Sequence, residues 1–388
     1  DGDPDYYPYQ TLYGLGYKNG SEAGAYFTVI ANPSLKWETQ ISTDIALEFG
    51  LFDRLTGTIE YFKKDSKDLL FDVSQPASVG VTSIIQNIGK VTNSGVEIEL
   101  DYNAFKNKDW SVSVGANATF VKNKIKNLPA TMKENGYISG SKKWLEGKSI
   151  YEFWLRQWHG VDPQTGDGLY VADVSKYNQG NIGTGDGNIT QSQFDEYKKT
   201  VVTIDGKELT NSYTYAKYDF SGSSIPDVYG GFNVRVSYKN FDLAAVFSYQ
   251  LGGQILDTNY ATMMSMTEFG YAQSPDLLKA WKQAGDITEV PRIDNSAAHT
   301  TNIGQSYSTR WLTSSDYLNL RSVTIGYQLP KTWLSKVMLK SARLNLTAEN
   351  LFMLKARQGL NPMANYSGVT YNEYMPSRNI TLGLNVSF

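Results

Sequence analysis

The 388-residue chain contains no cysteine and only two histidines, His159 and His299. It has no run approaching the roughly 18 consecutive apolar residues of a transmembrane helix. Without cysteine there is no disulfide framework, although that absence does not decide the compartment. His159 sits beside Gly160 at a turn and His299 in a polar stretch, too few and too scattered for a catalytic triad or a histidine metal centre. No Gly-rich phosphate cradle follows a strand and opens a helix, so ATP is not expected. An excess of one charge is also missing. Lys and Arg number 36 against 39 Asp and Glu, a net charge of -3, which argues against nucleic acid as the main partner. The mean hydropathy of -0.38 describes an ordinary polar chain. The missing apolar run excludes helical membrane spans and leaves a transmembrane β-barrel open, because in a barrel only alternate residues face lipid.

What the chain does have is aromatics, with 27 Tyr and 8 Trp, and a persistent period of two. Ile380, Leu382, Leu384, Val386 and Phe388 alternate with polar residues or Gly to the last position, the pattern of a strand with one greasy and one wet face. An aromatic last residue on such a strand is the usual ending of an outer-membrane barrel. The alternation recurs over 35–49, 96–102, 110–120, 232–238, 241–249 and 342–349. A soluble sandwich also alternates, but its strands average about five or six residues. These run to ten or more, the length that a tilted strand needs to cross a bilayer, roughly 9–11 residues.

About eleven strands are predicted: 35–49, 55–66, 91–102, 109–122, 151–159, 167–174, 228–238, 241–250, 317–328, 341–352 and 379–388. Long connections over 67–90, 124–149, 175–227, 251–316 and 353–378 alternate with short ones, which include 162–166 and Lys239-Asn240. Outer-membrane barrels sort their loops in this way, with tight periplasmic turns and long extracellular loops. The expectation is an all-β, transmembrane antiparallel barrel segment over 35–388, with Phe388 on the periplasmic side. Residues 1–34 read as an extracellular loop with a partial strand around Tyr9 to Tyr17. Eleven strands do not close an even-numbered barrel, and an open edge is not tolerated in lipid. The chain also begins at Asp1 with no export signal. It is therefore expected to be the C-terminal part of a larger barrel.

Several blocks carry a family resemblance. They are Asn32-Pro33-Ser34-Leu35-Lys36-Trp37-Glu38, Asn87-Ile88-Gly89-Lys90-Val91-Thr92-Asn93-Ser94-Gly95-Val96-Glu97, Gly230-Gly231-Phe232-Asn233, Pro291-Arg292, Tyr317-Leu318-Asn319-Leu320-Arg321, Gly326-Tyr327-Gln328-Leu329-Pro330, Ala348-Glu349-Asn350-Leu351-Phe352 and Leu384-Asn385-Val386-Ser387-Phe388. In this order, over nearly the whole chain, they resemble the barrel of the SusC-like (SusC/RagA) TonB-dependent transporters of Bacteroidetes. The resemblance implies the C-terminal half of a 22-stranded barrel in the outer membrane of a Gram-negative bacterium. It further implies a plug and N-terminal barrel portion outside this chain, a SusD-like lipoprotein lid, and the TonB complex as energy source. The implied activity is active import of oligosaccharides or oligopeptides. Two segments depart from the family pattern. In Gly185-Asp186-Gly187-Asn188-Ile189-Thr190 the preceding ligand positions of a calcium loop are Ile182 and Thr184, which cannot replace carboxylates. No cofactor is expected, and that external loop, which otherwise reads as a Gly/Asn turn, is the one place where calcium stays open. After the Asn-Leu-Phe strand, Arg357-Gln358-Gly359-Leu360-Asn361-Pro362-Met363 replaces the Tyr-x-Gly-x-Asp-Pro-Glu run of many members.

No enzyme is expected. Glu97, Glu99 and Asp101 share a strand face about 6.5–7 Å apart, which brushes the carboxylate spacing of inverting glycosidases. Any acidic i, i+2 pair would do so, and a solvated lumen wall accounts for them. Trp37 and Trp110 read as interfacial anchors. Trp281 follows a short helix capped by Ser274 with Pro275 in its first turn, and packing is its expected role. The substrate candidates are Trp144, Tyr177 and Tyr271, loop aromatics that can stack on sugars or peptide groups, with Tyr213 and Tyr215 as further loop tyrosines. Phe388 is the candidate assembly signal, and outer-membrane lipid the surrounding partner. The alternatives are a passive porin and a surface glycan-binding β-protein.

Overall fold

The computed structural model describes residues 9–75, 77–185, 187–265, 270, 272–294, 296–304, 307–334, 339–371 and 373–388. Two compact units emerge. One comprises Asp1–Ser139, Lys143–Ile150 and Gly230–Lys239; the other comprises Gly140–Lys142, Tyr151–Tyr229 and Asn240–Phe388.

In the first unit Thr39–Leu51, Leu55–Ser74, Ser83–Lys106 and Trp110–Asn127 pair successively as an antiparallel sheet, and Val228–Tyr238 follows Trp110–Asn127 in the sheet order. Register turns the sequence alternation into two chemically distinct faces. Ile45, Tyr61, Val96 and Phe120 form one cross-strand row, and Leu47, Ile59, Ile98 and Ala118 the next. The opposite face carries Glu60, Glu97 and Thr119, then Glu48, Thr58, Glu99 and Asn117. A one-residue slip would exchange the two faces. Short turns at 52–54 and 107–109 close one end of these strands. At 52–54 the non-glycine residues Phe52 and Asp53 take positive φ of 56° and 52°. At the second turn the Asn107 side chain accepts from the N–H groups of Asp109 and Trp110 (2.9 and 2.7 Å).

In the second unit Phe241–Leu251, Tyr317–Gln328, Ser341–Lys355 and Asn379–Ser387 pair in the same antiparallel fashion. The greasy rows are Leu243, Ile325, Leu346 and Leu382, then Phe241, Tyr327, Leu344 and Leu384. A bulge adjusts the phase partway along. Ala245 pairs with Val323 and Val323 with Ala348, while Phe247 pairs with Leu320 and Leu320 with Phe352. The three strands thus cover the same rise in two, three and four residues. Asn350, at φ 51°, lies in this irregularity, as expected where extra residues leave the ladder. Leu318 and Leu320 thereby stay on the face of Val323 and Ile325 although their sequence parity differs.

Several sequence expectations are corrected. The predicted loop 67–90 is mostly strand, because the hairpin continues to Ser74 and resumes at Ser83. The alternation is hidden there by bulges around Lys67–Leu70 and by Asp68 at φ 56°. Asn87 staples the spot, donating to the carbonyls of Lys36 and Asp68, both at 2.8 Å. The predicted strands 151–159 and 167–174 do not join the long strands. Glu152–Arg156 pairs with Tyr218–Ser223, and Trp158–Val161 and Gly168–Val171 belong to a separate four-stranded sheet with Val201–Ile204 and Lys207–Thr210. These strands are too short to span a bilayer. Phe153 and Leu155 are fully buried, and Trp154 on the other face packs on Phe220. Nine long strands remain among the described residues, and 128–227 is one continuous excursion that includes 162–166 as an internal turn. Dropping two strands leaves the direction of the others unchanged, but the connections no longer sort cleanly by length, because 75–82 is shorter than 329–340. Within 1–34 the partial strand is a complete hairpin, Leu12–Asn19 with Glu22–Val29.

Candidate functional site

In the second unit the long connections are organised by their own cores. Phe153, Leu155, Leu256, Ala261, Met264, Ala280, Val290, Trp311 and Val369 form one buried cluster, which draws residues from the excursion 128–227 and from both later connections. Backbone bonds reinforce it, since Leu256 N–H donates to Gly368 O (2.7 Å) and Thr370 N–H to Leu256 O (3.2 Å). A second cluster comprises Ala172, Tyr177, Ile189, Phe194 and Tyr197. Its helix Gln191–Thr200 begins with a capping box between Thr190 and Gln193. Held by these backbone bonds and shared apolar side chains, the long connections are built surfaces.

Cations in this unit lie over rings. The Arg156 guanidinium sits 4.7 Å from the Tyr218 ring centroid and 4.9 Å from that of Tyr213. Arg310 lies between Trp158 and Trp311, 4.7 and 4.3 Å from their centroids, and its burial brings its pKa down to about 10. Arg357 covers Tyr260 at 3.6 Å and pairs with Asp257 at 3.0 Å. Tyr260 donates to Asp276 at 2.8 Å, and burial foremost raises its pKa. Arg292 bridges Asp167 and Asp294 at 3.2 and 3.1 Å, and its carbonyl meets His299 Nε2 at 2.8 Å. His159, by contrast, is exposed in a short strand. Trp281 donates to Pro163 O (3.0 Å) behind the short helix Pro275–Lys279, which Ser274 caps. Trp154, Arg156 and Trp158 therefore belong to loop packing.

The substrate candidates fall in different places. Trp144, in the first unit, is half-buried against Phe71 and Tyr137, with centroids at 5.8 and 5.4 Å. Tyr177, in the second, is buried, stacked on Tyr197 and met edge-on by Tyr215 at 5.2 and 4.9 Å. Tyr271 lies outside the described residues. Three rings escaped the sequence reading: Tyr366, Tyr371 and Tyr374, exposed by 65%, 67% and 95%. Glu373 accepts from Tyr371 N–H (2.8 Å) and from the Asn365 amide (2.9 Å), which fixes this loop locally. The available signal was three tyrosines in nine residues of a loop already marked as departing from the family. Around Gly185–Thr190, Asn188 N–H donates to Gly185 O (3.1 Å) and Gly183 N–H to Ile189 O (3.1 Å), a closed turn; Asp186 lies outside the described residues. Trp37 is 91% exposed, and Trp110 packs on Tyr238 with centroids 4.3 Å apart.

Comparison with known proteins agrees with this geometry. The family profile described as TonB dependent receptor-like, beta-barrel matches residues 3–184. Over that segment the chain is similar to a TonB-dependent receptor barrel. The whole chain is 29% identical over 411 residues to TonB-dependent receptor P3 of Formosa agariphila, an alignment that covers all of this chain and 38% of that protein. To TonB-dependent receptor SusC of Bacteroides thetaiotaomicron it is 24% identical, covering 92% of this chain and 32% of that one. The structure of the RagAB peptide transporter superposes with a TM-score of 0.75 at 24% identity, over 98% of this chain and 39% of that one. The chain thus spans under two-fifths of these relatives. These relatives are named as TonB-dependent receptors and a peptide transporter, not as enzymes.

Proposed function

We propose that this barrel domain is the C-terminal half of the wall of a 22-stranded active importer of oligosaccharides or oligopeptides. A plug and the other strands lie elsewhere in the protein, a SusD-like surface lipoprotein covers the long loops, and TonB drives opening. In this reading 35–388 is wall and loops, residues 1–34 are external, and Phe388 faces the periplasm. The observation that carries it is that, in each unit, strands of bilayer-crossing length pair antiparallel with one continuous greasy face. Among the described residues, Thr39–Leu51 and Asn379–Ser387 each pair with one neighbour only. Lipid does not tolerate such edges, and further strands would satisfy them.

A lumen wide enough for an oligomer must stay closed to other solutes, so opening is gated and driven from outside this segment. Substrate stacks on loop aromatics in this proposal, on Tyr366, Tyr371 and Tyr374 of the second unit, with Trp144 of the first unit as a separate candidate. Tyr177 acts by holding the loop that it packs, and Tyr271, outside the described residues, is a further candidate ligand residue. Native mass spectrometry of the detergent-extracted complex tests the reading. A lipoprotein subunit and a retained oligosaccharide or peptide are expected. A trimer that conducts ions freely, or a chain soluble without detergent, would overturn it.

A further inference from the structure

One charged surface remains unused by the import reading. On the greasy face of the first unit, the row Ile45, Tyr61, Val96 and Phe120 is followed toward the long connections by Thr43, Lys63, Ser94 and Lys122. The next row is Ile41, Asp65, Thr92 and Lys124, and beyond it Thr39, Lys67 and Lys90. Five lysines and one aspartate therefore share the lipid-facing side, directly beyond the apolar belt. Asp65 meets Lys63 at 3.3 Å and Lys90 at 3.7 Å and accepts from Thr92 at 2.6 Å. No carboxylate of the described residues pairs with Lys122 or Lys124, and both are exposed. At the short-turn end the same face closes on Leu51, Leu55, Tyr102 and Val114, without lysine.

We propose that Lys63, Lys67, Lys90, Lys122 and Lys124 form a docking site for a phosphate-bearing lipid headgroup in the leaflet on the long-loop side. The inference rests on the reading of these strands as membrane wall. Two features select a lipid over a free anion. Charge complementarity calls for a polyanion, since the patch carries a net surplus of four positive charges over about 13 Å of strand rise. Continuity with the row of Ile45, Tyr61, Val96 and Phe120 gives acyl chains an apolar surface beside the phosphates. Each surface lysine near anionic lipid adds about a tenfold preference or less, screened by salt.

The test uses the intact transporter in detergent, titrated with diphosphoryl lipid A and followed by native mass spectrometry. The combined K63Q, K122Q and K124Q variant should lose at least about tenfold in lipid retention. K64Q should retain it, because Lys64 lies next in the strand on the opposite face, paired with Ser42 and Asn93. Removing the lipid phosphates should match the triple variant, and inorganic phosphate should not compete. Equal retention by the triple variant, equal loss in K64Q, or displacement by inorganic phosphate would each overturn the site. A detergent-dependent transporter with unchanged lipid retention defeats only this inference, whereas a protein soluble without detergent defeats the membrane reading itself.

Discussion

Single residues show how the wall tolerates its own sequence. Gly95 lies under the Phe62 ring, and a Cβ there would meet Phe62 Cζ at 2.6 Å as well as the Phe120 carbonyl. Gly57 lies similarly under Phe49. Each aromatic covers a glycine that contributes no side chain of its own. Gly95→Val should overpack this site and destabilise the sheet by about 1–3 kcal/mol, seen as a lower unfolding midpoint in detergent. Lys142 shows the opposite economy. Its Nζ sits 3.1 Å from the Phe153 centroid and 2.9 Å from Tyr151 O, and burial lowers its pKa to about 7. Between that value and the ordinary 10.5 the unfolded chain holds a proton that the folded chain lacks. Stability therefore rises with pH through this window and is lost as pH falls toward 7. Thermal melts between pH 6.5 and 10, about that range, should show the rise, and Lys142→Met should flatten it.

At the scale of elements, tertiary context decided where strands stop. The alternation in 35–49 and 379–388 was legible because one face is uniformly greasy. It was illegible at 67–90 and near Arg321-Ser322, where bulges change parity and a fixed period of two reads as a loop or a flaw. The pair 151–159 and 167–174 failed for another reason: alternation is shared by membrane strands and by short strands packed on a loop core. Asp257 illustrates how such a core holds a loop. It caps Thr258–Met263 by accepting from Tyr260 N–H at 3.0 Å, pairs with Arg357 and accepts from Thr370 at 3.2 Å. Asp257→Ala removes a cap worth about 1 kcal/mol and leaves Arg357 without its carboxylate. Hydrogen exchange should accelerate across 353–378 while the long strands stay protected. Unchanged exchange would show that Leu256 and Val369 suffice.

For the whole molecule, assembly is the scale on which Phe388 belongs. It is 81% exposed beside Ser387, whose carbonyl accepts from Lys340 N–H at 2.9 Å. Among the described residues no buried cluster includes the ring, which suits the proposed signal read during insertion. Deleting Phe388 from the intact transporter should lower its surface level several-fold without changing the stability of molecules that do insert. Normal surface levels would remove that role. The candidate ligand surface was only partly legible at this scale. Trp144 and Tyr177 were visible as loop aromatics, but a sequence does not say which rings are covered. Tyr177 proved buried by Tyr197 and Tyr215, whereas Tyr374 proved open.

The sequence by itself determined the all-β class, the absence of membrane helices and the family blocks. All of these are local patterns or counts, and backbone geometry alone gives a period of two its meaning. The tertiary structure decided which alternating segments share a sheet, which side of a bulge each leucine faces, and that five lysines separated by up to 61 positions share one sheet face. Those facts depend on register, and register is set by pairing between strands that no single stretch of sequence contains.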